Sequence, residues 1–142
     1  MGTESSKNGI VLVTHGNFGQ ALIEAGELIV GPQEGVLSLS VDVSQGIDAA
    51  VESLKNNIAE VNNGNGVLIL TDMFGGTPTN LSLSLLQGDD IEVVTGVSLP
   101  MLLKAFQMRN ESLQKMAEEV SKAAAKGIVI AGEMLRKRTS KG

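Results

Sequence analysis

The chain has a single histidine, His15, which stands in "IVLVTHGNFGQAL" directly after a run of aliphatic residues. A neutral imidazole can act as nucleophile or proton acceptor near neutral pH, because its unperturbed pKa is about 6.5. A second reactive stretch, "VLILTDMFGGTPTN", carries Thr71, Asp72 and the pair Gly75-Gly76 ahead of Thr77-Pro78. A carboxylate that accepts one ring N–H fixes the imidazole tautomer and stabilises the imidazolium formed on attack. Asp72 is the candidate for that role. Two glycines let the backbone approach a ligand closely, and the amides opening the next helix favour an anion. These groups together suit transfer of a phosphoryl group through histidine, in a pocket that takes in Thr14 and Thr71 at the strand ends.

Each residue also has a plainer use. A histidine at a strand end can be a loop residue with a satisfied hydrogen bond, and Asp72 can cap a turn. Gly75-Gly76 and Thr77-Pro78 can be a tight connection and nothing more. Only their convergence at one place would make a site.

The elements that must bring them together are legible as alternating strands and helices. Ile10 to Val13 and Val67 to Leu70 are continuous apolar runs of strand length, as expected of strands buried on both faces. Leu37, Leu39 and Val41 alternate with Ser38 and Ser40, which predicts a strand near an edge with one wet face. Ile91 to Thr95 is a fourth strand. Helical spacing recurs from Phe18 to Ile29, from Ile47 to Val61, from Leu99 to Met108 and over 111–126. Thr77 reads as an N-cap with Pro78 at the first helical position, opening a helix that ends near Gly88. The segment "IVIAGEML" is a last strand candidate. The order predicts an α/β fold: an open, doubly wound parallel sheet with helices on both faces. Ligands in such a sheet bind beyond the carboxyl ends of the strands, at the switch point. A strand order of 2-1-3-4 puts His15 and Asp72 in the same crevice.

Composition narrows the function classes. At 142 residues the chain is the size of one domain. A net charge of -5 argues against general nucleic-acid binding, which needs a basic face. Cysteine is absent, so there is no disulfide framework and no thiolate nucleophile. One histidine and scattered carboxylates give no metal-ligand spacing, and no cofactor is expected. No apolar run approaches the ~20 residues that span a bilayer. The opening "MGTESSKN" lacks the apolar core of a signal peptide; it fits a loose myristoylation pattern through Gly2 and Ser6, of a kind that arises by chance. A soluble cytoplasmic domain over 9–135 is expected, after a disordered segment at 1–8 and before a loose basic tail at 136–142.

The stretches "GIVLVTHGNFGQAL", "VLILTDMFGGTPTN" and "VVTGVSLPMLL" resemble the mannose-family enzyme IIA domain of the bacterial sugar phosphotransferase system, from about Gly9 to Leu135. The resemblance implies that His15 accepts phosphate from the phosphocarrier protein HPr and passes it to a IIB domain, which phosphorylates sugar during uptake. It makes Asp72 the partner of the histidine. Phe74, Gly75, Gly76 and Thr77 correspond to the loop that holds phosphate, and Ser98-Leu99-Pro100 to the rim, where members often have asparagine in place of Ser98. It also implies a homodimer whose last strand, here Ile128 to Ala131, runs antiparallel and is exchanged between subunits. Contact with membrane permease subunits would come through IIB. Since the chain stops at Gly142, a free-standing IIA protein is expected, in uptake or in regulation.

Three rival readings follow. A phosphocarrier subunit serving dihydroxyacetone kinase would use a similar histidine with different signature loops. A histidine phosphatase, suggested by "THG", needs an arginine before the histidine and a second histidine, and this chain has neither. A regulatory module that senses phosphorylation without passing it on is compatible with the residue content.

Overall fold

The computed structural model describes residues 7–42, 44, 46–86, 88 and 90–141. Gly2 and Ser6, and with them the lipidation pattern, lie outside the described residues. In chain order the elements are β1 (Gly9–His15), α1 (Phe18–Val30), β2 (Val36–Val41), α2 (Ile47–Val61), β3 (Val67–Thr71), α3 (Thr77–Leu83), β4 (Ile91–Thr95), α4 (Leu99–Gln107), α5 (Leu113–Lys126) and α6 (Ala131–Lys141).

The four strands form one parallel sheet in the order β2-β1-β3-β4, the order expected. The two continuous apolar runs are the central strands, and their side chains divide by the strand period of two. Ile10, Leu12, Leu68 and Leu70 face one layer, where Ile23, Met101, Leu102, Met116 and Val120 of α1, α4 and α5 close over them. Val11, Val13, Val67 and Ile69 face the other, against Leu54, Ile58 and Val61 of α2 and Leu81 of α3. The serine-alternating strand β2 is an edge. The helix following β1 therefore leaves on one face and the helix following β3 on the opposite face. That is the switch point, and it falls between the carboxyl ends of adjacent strands. The register pairs Val13 with Thr71, so His15 and Asp72 emerge just beyond matched positions.

Three expectations need correction. Asn8, expected in a disordered segment, is buried; its N–H donates to the Arg109 carbonyl (2.9 Å) and its Nδ2 to the Glu111 carbonyl (2.7 Å). The segment expected as an antiparallel fifth strand is not one here: Ile128, Val129 and Ile130 lie outside the sheet, exposed. A three-residue β-branched run becomes a strand only with a ladder partner, and β4 pairs with β3 alone among the described residues. The tail expected to be loose continues a helix to Lys141. Glu133 in its first turn and Arg136, Lys137 and Arg138 beyond suit both helix propensity and the helix dipole.

Candidate active site

His15 is the last residue of β1, and Asp72 is the first after β3. One carboxylate oxygen of Asp72, Oδ2, lies 2.7 Å from His15 Nδ1 and also accepts the His15 backbone N–H at 2.8 Å. The same oxygen thus fixes both the ring and the main chain that carries it. Burial works against the charged form of Asp72. The hydrogen bonds from the His15 backbone and ring outweigh that and hold the carboxyl below its usual range. An ionised carboxylate has no proton to give, so Nδ1 must carry the hydrogen and Nε2 keeps the lone pair. The His15 side chain is 55% exposed and that of Asp72 14%. The nucleophilic nitrogen therefore sits on a ring open to solvent, backed by a largely covered carboxylate whose second oxygen, Oδ1, is buried without a hydrogen-bond partner.

The loop after β3 comes against the ring. Gly76 is so near that a Cβ there would lie 3.2 Å from His15 Cε1, and Gly75 has φ +88°, a conformation open to glycine. The N-cap of α3 is Gly76 and not Thr77, and Pro78 follows within the first turn. Its first internal bond runs from the Asn80 N–H to the Gly76 carbonyl, so the Thr77 and Thr79 N–H groups have no intrahelical acceptor. Met73 and Phe74 on this loop are 54% and 76% exposed.

Other expected pocket residues make hydrogen bonds within the fold. Thr14 is buried, and its hydroxyl accepts the Gly19 N–H at 2.9 Å. It does the capping at the start of α1 that the Asn17 side chain leaves undone. Thr71 is buried with its hydroxyl 2.6 Å from that of Thr79. Ser98 caps α4, accepting the Met101 N–H at 3.4 Å. Thr79 was not among the expected residues; the only signal for it is a second threonine in "GGTPTN", two residues past the first. A cleft of about 730 Å3 opens at the opposite end of the sheet, among Asn8, Asn65, Ile91, Glu92 and Ser112. It has no histidine.

The family model described as PTS system fructose IIA component matches residues 9–125. The chain belongs to this family. IIA proteins of the phosphotransferase system (PTS) are phosphotransferases that work with HPr and IIB components. Among relatives, the PTS system fructose-specific EIIA component of Bacillus subtilis is 26% identical over 130 residues, covering 90% of this chain and 89% of that one. The PTS system mannose-specific EIIAB component of Escherichia coli is 30% identical over 103 residues, which are 72% of this chain and 32% of the relative. The chain thus spans about a third of that longer protein. A crystal structure of the PTS IIA protein associated with the fucose utilization operon of Streptococcus pneumoniae superposes with a TM-score of 0.82 at 28% identity, covering 93% of this chain and 99% of that one. The family's sheet and its surrounding helices are those described above. No helix among the described residues is long and apolar enough to cross a membrane.

Proposed function

We propose that this IIA protein carries a phosphoryl group on His15 Nε2, received from phospho-HPr and passed to a IIB component for sugar uptake. One observation carries the reading: Nδ1 is held by Asp72 while the ring is half open to solvent. The Nε2 lone pair attacks phosphorus as the N–P bond of the donor breaks, and that electron pair returns to the donor's ring. The His15 ring, still protonated at Nδ1, becomes cationic, and Asp72 lies in place to neutralise it. Charge on the transferring group spreads over three oxygens, and the 74–77 turn with the opening N–H groups of α3 is the electropositive backbone nearest to it. Transfer to IIB is the same step reversed with a new acceptor. Within this scheme the protein touches no sugar.

The exposed apolar residues Ile128, Val129, Ile130, Met134 and Leu135 support a homodimer, since so many beside one another call for a covering surface. The protein is read as cytoplasmic, reaching permease subunits in the membrane only through IIB.

Incubation with phosphoenolpyruvate, enzyme I and HPr tests the reading. The expected product is a phosphoprotein stable to base and labile to acid, absent in His15→Ala. No phosphorylation of the wild type would overturn it. A phosphorylated protein that passes nothing to any IIB component would instead favour the regulatory module, and transfer to a dihydroxyacetone kinase subunit would favour that rival.

A further inference from the structure

We infer that Thr79 is a positioning residue for this phosphoryl transfer: with Thr71 it forms a buried hydroxyl chain that holds Asp72 against the His15 ring. The inference rests on the phosphocarrier reading above.

The direction of the chain follows from counting protons. Thr79 Oγ1 donates to the Met73 carbonyl at 2.5 Å, and a carbonyl can only accept. A hydroxyl has one proton, so the 2.6 Å contact between Thr71 and Thr79 must be donated by Thr71. The bonds therefore run one way, from Thr71 through Thr79 to Met73. They take hold of the residues immediately before and after Asp72. The Thr71 carbonyl accepts the Val97 N–H at 2.9 Å, which ties the end of β4 into the same node. Thr71 and Thr79 are both 0% exposed, so water has no access to replace a lost hydroxyl.

This arrangement gives the loop what Asp72 needs. The carboxylate must meet two donors on His15 at 2.7 and 2.8 Å with a single oxygen, a geometry that tolerates little drift. Misplacing a reacting group by about 1 Å can cost on the order of 100-fold in rate. The single proton of the Thr79 hydroxyl is spent on the Met73 carbonyl, so the hydroxyl has none to give to a phosphoryl oxygen. It acts through the backbone of residues 71–73.

The test compares Thr79→Val, which removes the hydroxyl at similar volume, with Thr79→Ser, which keeps it. Three quantities are measured: the rate of phosphorylation by phospho-HPr, the 15N spectrum of the His15 ring, and the titration of the Asp72 carboxyl by 13C NMR. In Thr79→Val we expect phosphorylation slowed on the order of 10- to 100-fold. The ring should lose its fixed Nδ1–H signature, and Asp72 should titrate nearer the ordinary carboxylate range. Thr79→Ser should restore all three. Wild-type rate, ring spectrum and titration in Thr79→Val would overturn the inference, as would failure of serine to restore the spectrum. If Thr79→Val does not fold, Thr71→Val cuts the chain one bond earlier, and a wild-type ring spectrum there would overturn it equally. Should the wild type take no phosphate at all, the phosphocarrier reading fails, while the two NMR measurements still decide whether Thr79 holds the pair.

Discussion

At the scale of single residues, the site is governed by one carboxylate oxygen that accepts two hydrogen bonds from the same histidine. Asp72→Asn keeps the size of the side chain and removes its charge, so the cation formed on the ring loses its counter-ion. Phosphorylation of that variant is expected to fall by about 10²- to 10⁴-fold, the usual worth of a positioned acid–base partner, with the fold retained. The depressed pKa also sets the sign of an acid effect. Asp72 is lowered from 3.8, so its contribution to stability is complete above that value and shrinks as pH falls through the lower folded value. The stability difference between wild type and Asp72→Asn should accordingly close below pH 3.8, as measured by urea unfolding across the acid range. The two loop glycines should separate by mechanism. Gly76 has φ -85°, so alanine is unstrained there but crowds the ring, and Gly76→Ala should slow phosphorylation while stability changes by less than about 0.5 kcal/mol. Gly75 has open space around it and φ +88°, so Gly75→Ala should cost about 1–2 kcal/mol of stability through the backbone.

At the scale of elements, the buried strands and the long amphipathic helices could be read directly, because a continuous aliphatic run and a 3.6-residue period each have one good solution. The pairing of His15 with Asp72 was legible for the same reason: it needed only the strand order. What stayed hidden depended on which way a short side chain turns. Thr14 and Thr71 sit at strand ends, where a hydroxyl can face the crevice or the helix behind it. Packing of α1 and α3 decided for the helix in both cases. Ile128 to Ile130 has strand propensity but no ladder partner here, and propensity without pairing makes no strand. Arg109, also unforeseen, is buried and donates to the carbonyls of Asn8, Glu34 and Gly35, joining the entries to β1 and β2. Burial pulls its guanidinium below the ordinary value while Glu34 pulls the other way. Arg109→Met should take the side-chain donor from the Asn8 and Glu34 carbonyls, while that of Gly35 keeps the Ile10 N–H, and cost about 2–4 kcal/mol in urea unfolding, with phosphorylation of the folded protein unchanged.

At the scale of the whole molecule, charge and apolar surface are unevenly divided. Residues 131–141 hold four basic side chains and one acid, so the net charge of -5 splits into +3 for α6 and -8 for the remainder. Covering Ile128 and Ile130 is the part proposed above for a second copy. Light scattering on Ile128→Asp/Ile130→Asp should report a monomer where the wild type is a dimer, with each subunit still folded; a monomeric wild type would remove the proposed homodimer. The imidazole's half exposure at the strand ends has a kinetic corollary. That exposure predicts that a donor or an acceptor reaches the ring without a rearrangement, with the pace of relay set by encounter and docking. Added viscogen should therefore slow turnover nearly in proportion, as for two bodies that react when they meet.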